Sequence, residues 1–242
     1  GQDELVFDGD SFLLDESGKE TCSAGMEVGL VSQLSSTANE LDEHQKLFDV
    51  LVLGLRDYLR KTGQRKVVLG LSGGIDSALC AAIAKEAVGA ENVTGVLLPS
   101  RYSSDHSLAD AESLAKNLGI EHRTIPIDPA HKAFESSFTL SPLAQENIQA
   151  RIRAVILMGI SNSEGHLLIS TGNKSEVAVG YSTMYGDAAG GFAPIKDVYK
   201  TDVWALAQAY NSRFGHFVIP ENSIVKPPSA ELRPGQLDQD SL

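Results

Sequence analysis

The segment from Val67 to Ala78, VVLGLSGGIDSA, constrains this chain more than any other part of it. The apolar residues Val67–Leu69 predict a buried strand, and the alanine-rich residues 78–88 predict a helix. Between them lie residues 70–77, which we call the glycine loop. A strand that turns directly into a helix aims backbone N–H groups and the positive end of the helix dipole at one point. The glycine loop therefore predicts a binding site for a phosphate or pyrophosphate group.

The composition of the glycine loop excludes two common phosphate motifs and indicates a cation. The loop has neither the lysine of a P-loop nor the spacing of the dinucleotide fingerprint. Asp76 would repel a polyphosphate unless a cation lay between them, and Mg²⁺ commonly joins carboxylates to phosphates. Asp76 is therefore expected to bind Mg²⁺. The alternative is that Asp76 only caps the following helix.

Length, charge and cysteine content narrow the class of protein. A chain of 242 residues with 42% hydrophobic and 21% charged residues is ordinary for a globular protein. Its net charge of −12 argues against nucleic acid as a partner. We find no apolar run of membrane-spanning length and no signal segment. The two cysteines, Cys22 and Cys80, form neither a disulfide framework nor a CxxC motif, so a cytoplasmic location is expected.

Strands and helices alternate from about residue 39 onward. The expected strands are 66–71, 93–98, 121–127 and 166–170, and the expected helices are 76–89, 105–118, 129–138, 143–162 and 197–211. Apolar strands that alternate with helices predict an α/β fold with a doubly wound parallel sheet covered on both faces. In such sheets ligands bind beyond the carboxyl ends of the strands.

The first 38 residues are predicted to lie outside this domain. Apolar residues 5–7 and 12–14 flank a polar turn at 8–11, which predicts a short hairpin within residues 1–20. A lone hairpin is marginal in water, so we expect it to belong to a neighbouring domain. Residues 21–38 are rich in serine, glycine and threonine and read as a linker. The folded domain is therefore expected to span residues 39–242.

A second strand end carries the segment STGNKSE at 170–176. If parallel topology brings it beside the glycine loop, Glu176 becomes a second metal ligand, and Thr171 and Lys174 face nucleotide or substrate. The alternative is an ordinary capped turn with a solvated Lys–Glu pair. The spacing leaves both readings open.

Three further groups of residues are candidates for binding. The 180–192 loop has four glycines and two tyrosines without helical periodicity, which is typical either of a binding loop or of a mobile surface loop. Asn147 and Arg151 share one helix face, whereas Arg153 is expected to point elsewhere. Arginine suits a bidentate grip on phosphate or carboxylate, although it also occurs on solvated helix surfaces. Lys200 either reaches a polyphosphate or is solvated.

Together, these segments resemble the NAD synthetase family. The matching stretches are LGLSGGIDSA at 69–78, ENIQARIR at 146–153, the block at 170–201 and the segment at 219–242. The SGGxDS loop alone marks a wider group of ATP pyrophosphatases that includes GMP synthetase, whereas the second and third stretches are far more specific. Met184 and Gly191 stand where ammonia-only members carry Lys and Asp, which favours the glutamine-dependent branch.

The resemblance implies an adenine nucleotide α-hydrolase-like fold and ATP-dependent amidation of deamido-NAD through an adenylated intermediate. The implied ATP contacts are Gly70, Ser72, Gly73, Gly74, Asp76, Ser77, Thr171, Lys200 and Ser229. The implied deamido-NAD contacts are Asn147, Arg151, Glu176 and Asp187. The implied Mg²⁺ ligands are Asp76 and Glu176, and the implied catalytic residues are Asp76, Lys174 and Lys200.

The resemblance also implies partners. Ammonia would come from glutamine, hydrolysed by a nitrilase-like glutaminase domain that precedes this one in the full-length enzyme, and the enzyme would form a homodimer. Further basic residues used by the family would follow Leu242. Two alternatives stay open: another SGGxDS ATP pyrophosphatase, such as a GMP synthetase-like amidating ligase, and a nucleotide-binding module without turnover.

Overall fold

The computed structural model describes residues 5–7, 9, 11–23, 42–233 and 235–236. The strands are β1 (Phe12–Leu14), β2 (Glu20–Ser23), β3 (Lys66–Gly70), β4 (Val93–Leu97), β5 (Glu121–Thr124) and β6 (His166–Leu168). The α-helices are α1 (Glu43–Thr62), α2 (Ile75–Val88), α3 (Asp105–Leu118), α4 (Asp128–Ser137), α5 (Pro142–Glu164), α6 (Lys174–Val179), α7 (Lys200–Phe214) and α8 (Glu221–Val225). No helix within these ranges is both long enough and apolar enough to cross a membrane.

Four strands form one parallel sheet in the order β5–β4–β3–β6. Val67 of β3 lies opposite Val93 of β4 on one side and Leu167 of β6 on the other. The chain first proceeds from β3 outward to β5 and then returns to the opposite side of β3 to add β6. The connections that leave β3 and β6 therefore diverge at the carboxyl ends of these two strands. Such a switch point is where open α/β sheets bind ligands.

Alternate residues of β3 supply two separate cores. Val67 and Leu69 pack in one cluster with residues of α1, α2, α3 and α7, whereas Val68 packs in a second cluster with residues of α5. This division follows from the period of a strand, because successive side chains point to opposite faces. Helices cover both faces of the sheet, and the predicted doubly wound α/β fold is confirmed.

The predicted elements of the domain are present, with small differences at their ends. Helix α3 spans residues 105–118, as expected from its periodicity. Strands β5 and β6 end at Thr124 and Leu168, two to three residues earlier than predicted. Helices α6 and α8 were not expected, because helices of six and five residues are too short to show a hydrophobic period.

The amino-terminal hairpin differs from the predicted one. Strand β1 pairs antiparallel with β2 rather than with residues 5–7. The Asp15 carboxylate accepts hydrogen bonds from the backbone N–H groups of Ser17 and Lys19, each at 2.9 Å. This local bonding stabilises a turn after Asp15 and explains why the hairpin lies later in the chain. The predicted linker begins inside β2, and residues 24–41 lie outside the described part of the chain.

Candidate functional site

A cavity of about 860 Å³ opens at the carboxyl ends of β3 and β6. Its walls are the glycine loop, the start of α3, one face of α5, part of the 180–192 loop, and residues 226–233 with 235–236, which we call the strap. This volume lies within the range of pockets that hold small-molecule ligands and cofactors. Eleven of the residues predicted from the sequence line it: Gly70, Ser72, Gly74, Asp76, Ser77, Asn147, Thr171, Glu176, Asp187, Lys200 and Ser229.

Two serine hydroxyls hold the glycine loop in shape. The Ser77 hydroxyl donates to the Gly74 carbonyl at 3.0 Å and lies 3.1 Å from the Ser72 hydroxyl oxygen. The Gly74 N–H donates to the Ser72 hydroxyl at 3.1 Å. The loop is therefore preorganised by its own side chains, beside the amino-terminal end of α2.

Gly73 packs against the start of α3. It lies outside the cavity lining, and its φ of +78° is in the region that favours glycine. A Cβ at Gly73 would lie 2.2 Å from the backbone oxygen of Ser107. The Gly73 carbonyl accepts a hydrogen bond from the Ser223 hydroxyl at 2.9 Å. Close approach of α3 is therefore one reason for glycine at this position. The phosphate contact expected at Gly73 stays a prediction.

Asp76 lies between a cation and an amide. It is the second residue of α2, whose N-cap is Gly74, so Asp76 does not cap the helix. Its Oδ1 accepts a hydrogen bond from Asn173 Nδ2 at 2.9 Å, and its Oδ2 accepts one from the Lys200 ammonium. The charge of Asp76 is therefore balanced by a lysine that comes 124 residues later in the chain.

Asn173 connects the two carboxylates expected to bind metal. This fully buried residue caps α6 by accepting a hydrogen bond from the Glu176 N–H at 3.0 Å. In return, the Glu176 carboxylate accepts the Asn173 N–H at 3.1 Å, which completes a capping box. Glu176 therefore takes part in a capped turn and also lines the cavity. Sequence reasoning did not single out Asn173, although Asn three residues before Glu is a capping signal.

Asp76 and Glu176 fit a hydrated Mg²⁺ ion. Both offer hard carboxylate oxygens at one edge of the cavity, linked through Asn173. Within the described ranges no group of three or more His, Cys, Asp or Glu residues converges on a point. Two carboxylates suit an ion that completes its coordination with water and phosphate oxygens. The Lys200 ammonium is the cation that lies beside Asp76 in this structure.

A hydrogen-bonded group from α5 and the 180–192 loop also lines the cavity. The Thr183 hydroxyl donates to Asn147 Oδ1 at 2.8 Å, and the Thr183 N–H donates to Asp187 Oδ1 at 2.8 Å. Asn147 lies on α5, whereas Thr183 and Asp187 belong to the 180–192 loop. Thr183 thus joins two residues that were predicted as dinucleotide contacts.

Glycines attach the 180–192 loop to the rest of the domain. A Cβ at Gly190 would lie 2.6 Å from the Ser170 nitrogen, and one at Gly186 would lie 2.8 Å from the Ala150 Cβ. These residues therefore allow close packing on β6 and α5. The Tyr181 side chain lies at the cavity.

Besides Gly73, the predicted residues Arg151 and Lys174 lie outside the cavity lining, whereas Arg153, which was not predicted as a site residue, lies in it. Arg151 Nε donates to the Met184 carbonyl at 3.1 Å, and Lys174 Nζ lies 4.8 Å from the ring centroid of Tyr199. Arg153, expected to point elsewhere, lines the cavity. The face of α5 that meets the cavity runs through residues 146, 150, 153 and 157, at the three- and four-residue spacing of a helix. Ala150 and Leu157 share this face with Arg153. Their spacing in the sequence could have predicted that Arg153 points into the protein.

The strap forms one wall of the cavity. The Glu231 carboxylate accepts hydrogen bonds from the Ser104 N–H at 3.2 Å, the Ser104 hydroxyl at 2.9 Å and the Ser107 hydroxyl at 2.7 Å. Gln149 Nε2 donates to the Leu232 carbonyl at 2.9 Å. The strap is thus joined both to the start of α3 and to α5.

Cys80 lies below the site without a nucleophilic role. Burial raises the pKa of this thiol well above its ordinary value, and the charges of Asp76 and Glu176 raise it further. The side chain is fully buried in the core. Cys80 therefore stays protonated and inert at neutral pH.

A doubly wound sheet with an SGGxDS loop at its switch point defines an adenine nucleotide α-hydrolase-like protein of the ATP pyrophosphatase type. A family profile described as NAD synthase matches residues 47–242. The chain belongs to that family.

Similar proteins agree with this membership. The chain is 46% identical to a glutamine-dependent NAD(+) synthetase of Thermotoga maritima, in an alignment that covers all of this chain and 50% of that protein. It superposes with a TM-score of 0.89 and 39% identity on a glutamine-dependent NAD+ synthetase from Acinetobacter baumannii solved with adenosine diphosphate, covering 96% of this chain and 48% of that one. An NMN synthetase from Francisella tularensis gives a TM-score of 0.75 at 34% identity, over 83% and 82% of the two chains. The chain thus spans about half the length of the curated relatives it matches.

Proposed function

We propose that this chain is the synthetase domain of a glutamine-dependent NAD⁺ synthetase and that it amidates deamido-NAD at the expense of ATP. The observation that supports this function best is the composition of one cavity. Residues of the glycine loop, the Asp76–Lys200 pair, Glu176, Asn147 and Asp187 all line it. The family membership and the names of the relatives support the same activity.

The first chemical step activates a carboxylate. A carboxylate is a poor acyl donor until one of its oxygens can leave. In the proposed reaction a nicotinate oxygen attacks the α-phosphorus of ATP, a new P–O bond forms, and pyrophosphate departs. The glycine loop and the first N–H groups of α2 stabilise the negative charge that develops on the leaving group. The proposed ATP contacts are Gly70, Ser72, Gly73, Gly74, Asp76, Ser77, Thr171, Lys200 and Ser229.

The second step forms the amide. Ammonia attacks the acyl carbon, AMP departs with the bonding electron pair, and the nitrogen loses a proton. No covalent enzyme intermediate is required, in agreement with the buried, protonated Cys80. Lys200 can transfer its hydrogen bond from Asp76 to a phosphate oxygen when Asp76 receives another cation. Lys174 lies outside the cavity lining, so we assign the chemistry to Asp76 and Lys200.

Asp76 and Glu176 are the proposed Mg²⁺ ligands. Bound there, Mg²⁺ supplies positive charge beside the phosphate chain. Asn173 keeps the two carboxylates in place by bonding to both of them. Glu176, Asn147 and Asp187 all line the cavity. We propose each of them as a deamido-NAD contact.

The proposed full-length enzyme is a cytoplasmic homodimer with a glutaminase domain that supplies ammonia. Apolar side chains along α5, α6 and the 180–192 loop support the dimer: Val155 is 71% exposed, Val177 60% and Met184 67%. Burial of such apolar side chains against a second copy of the chain would stabilise the dimer.

The decisive experiment measures AMP and NAD⁺ formation by the chain with ATP, Mg²⁺ and ammonium. Three acceptors are compared: deamido-NAD, the deamido form of NMN and xanthosine monophosphate. The expected result is amidation of deamido-NAD, with ammonium but not with an equal concentration of glutamine. Amidation of only the mononucleotide acceptor would indicate an NMN synthetase, and amidation of xanthosine monophosphate would indicate a GMP synthetase-like ligase. Absence of AMP with every acceptor would indicate a binding module without turnover.

A further inference from the structure

Arg153 is a charged side chain at the cavity with most of its donors unused. Its Nε donates to the carbonyl of Leu98 at 3.0 Å, just beyond β4. Within the described part of the chain, Nη1 and Nη2 of Arg153 have no hydrogen-bond partner. The planar guanidinium therefore retains the pair of donors that suits an oxyanion with two oxygens.

The surroundings of Arg153 make this arrangement costly without a ligand. Burial lowers the pKa of Arg153 to about 10, and attraction to Glu231 opposes that shift only in part. The carboxylate oxygens of Glu231 accept three hydrogen bonds from Ser104 and Ser107 rather than from the Arg153 guanidinium. A desolvated charge without a close counter-charge destabilises the protein. An anion that enters the cavity would remove this cost.

The position of Arg153 indicates which kind of anion it meets. Strand β4 is the parallel neighbour of β3, so Leu98 and the glycine loop emerge at the same edge of the sheet. Ser107 packs directly on Gly73 of the glycine loop and hydrogen-bonds to Glu231 of the strap. Arg153 thus faces the side of the cavity where phosphate groups are expected.

We propose that Arg153 binds two oxygens of a nucleotide phosphate group through Nη1 and Nη2. This inference rests on the proposed function and adds to it a side chain that neither the sequence motifs nor the arguments above assigned to a ligand. Two sources carry this chemistry: the phosphate chain of ATP and the pyrophosphate of the dinucleotide. Arg153 then supplies a second positive charge to the phosphate groups, in addition to Lys200, which approaches them from the side of Asp76.

The test measures binding without turnover, so that it does not depend on catalysis. Isothermal titration compares ADP, AMP, inorganic pyrophosphate and deamido-NAD on the wild-type chain and on Arg153→Gln and Arg153→Lys. Arg56→Gln is the matched control, because Arg56 also donates to backbone carbonyls, those of Glu86 and Ala87, but lies outside the cavity lining. The melting temperature of each unliganded variant is measured in parallel.

Arg153→Gln is expected to weaken ADP and pyrophosphate about tenfold or more, since a charged hydrogen-bond pair is lost. The affinities of Arg153→Lys for ADP and pyrophosphate should lie between those of the wild type and of Arg153→Gln, because lysine keeps the charge but not the planar pair of donors. The unliganded Arg153→Gln variant should melt no lower than wild type. If Arg153→Gln lost affinity for deamido-NAD alone, the inference would be supported, and the phosphate group that Arg153 binds would be the pyrophosphate of the dinucleotide.

Wild-type affinity of Arg153→Gln for ADP, pyrophosphate and deamido-NAD would overturn the inference. A lower melting temperature with unchanged affinities would overturn it too, because Arg153 would then be structural. Failure of the proposed function would be a separate result. In that case no acceptor would give AMP, although substitution of Arg153 would still weaken the binding of these ligands.

Discussion

Asp76 owes its role to neighbours that are distant in sequence. Asn173 and Lys200 bond to its two carboxylate oxygens across 97 and 124 residues. Both Asp76 and Lys200 have side chains that are 18% exposed, so their charges interact in a partly desolvated setting. Lys200 also lies 5.6 Å from the ring centroid of Trp204, which gives the ammonium a second favourable contact.

Asp76→Asn should abolish most Mg²⁺-dependent turnover while leaving the fold intact. The amide keeps the shape of the side chain and an acceptor for Asn173, but it removes the charge that favours a cation. We expect a loss of about 100-fold or more in kcat, comparable with removal of one electrostatic contact to a transition state. Turnover as a function of Mg²⁺ and circular dichroism check these two expectations.

The matched control is Asp202→Asn, since Asp202 is an acid in the first turn of α7 but lies outside the cavity lining. It should retain wild-type turnover. A normal rate and normal metal saturation for Asp76→Asn would refute the assignment of Asp76.

Arg151→Ala should raise the KM for deamido-NAD several-fold more than the KM for ATP. Arg151 bonds to the carbonyl of Met184, next to Thr183, which connects Asn147 with Asp187. Loss of one hydrogen bond to a charged donor weakens this attachment by about 1.5–3 kcal/mol. Steady-state kinetics with each substrate varied in turn provide the measurement.

Arg60→Ala serves as control for Arg151→Ala, because the Arg60 side chain is 75% exposed on α1. It should leave both KM values unchanged. Equal increases of the two KM values in Arg151→Ala would mean that Arg151 supports the fold rather than the dinucleotide side of the cavity.

The strap and helix α3 hold one another in place. Glu231 has a φ of +48°, an unfavourable conformation for a residue other than glycine. The three hydrogen bonds of its carboxylate at the beginning of α3 offset that strain, and a negative charge is favourable at a helix amino terminus. Lys226 adds a further contact, since its ammonium lies 3.0 Å from the Ser107 hydroxyl oxygen.

Glu231→Gln should loosen both elements together. The amide keeps the size of the side chain but loses the charge, which costs about 1 kcal/mol at a helix cap. Hydrogen exchange should therefore rise by about fivefold at the Leu232 amide and in the first turn of α3. Glu221→Gln in α8 provides the control and should leave exchange in both segments unchanged. Faster exchange in the strap alone would contradict a coupled pair of elements.

The stability of the whole domain should fall below about pH 6.5, the pKa of an unperturbed histidine. His166 at the start of β6 is 7% exposed, and burial lowers its pKa, with Lys66 and Arg123 acting in the same direction against Glu164. The unfolded chain then binds a proton that the folded chain resists, so the free energy of unfolding decreases as pH falls.

Urea unfolding at pH 7.5 and pH 5.5 tests this expectation. The wild type should lose more stability over that interval than His166→Asn, which lacks the titrating group. His106→Asn replaces an exposed histidine of α3 and should behave as the wild type does. An identical pH dependence in wild type and His166→Asn would show that other groups are responsible.

Local patterns in the sequence account for most of the domain. The glycine loop, the alternation of strands and helices, and the limits of α3 follow from turn chemistry and hydrophobic period, which act over a few residues. The same patterns misplaced the hairpin, because the short-range hydrogen bonds of Asp15 favour a different turn. They also missed α6 and α8, which are stabilised by caps and packing rather than by a periodic face.

The sequence alone thus predicts a phosphate-binding loop, an α/β sheet and the types of residue in the site. The position of Arg153 and the bond from Glu231 to α3 depend instead on packing between distant parts of the chain. The meeting of Asp76 with Asn173 follows from the strand order β5–β4–β3–β6. That order places β6 beside β3 although about a hundred residues separate them. Such contacts depend on pairing and packing across the whole chain, which no local period or turn signal encodes.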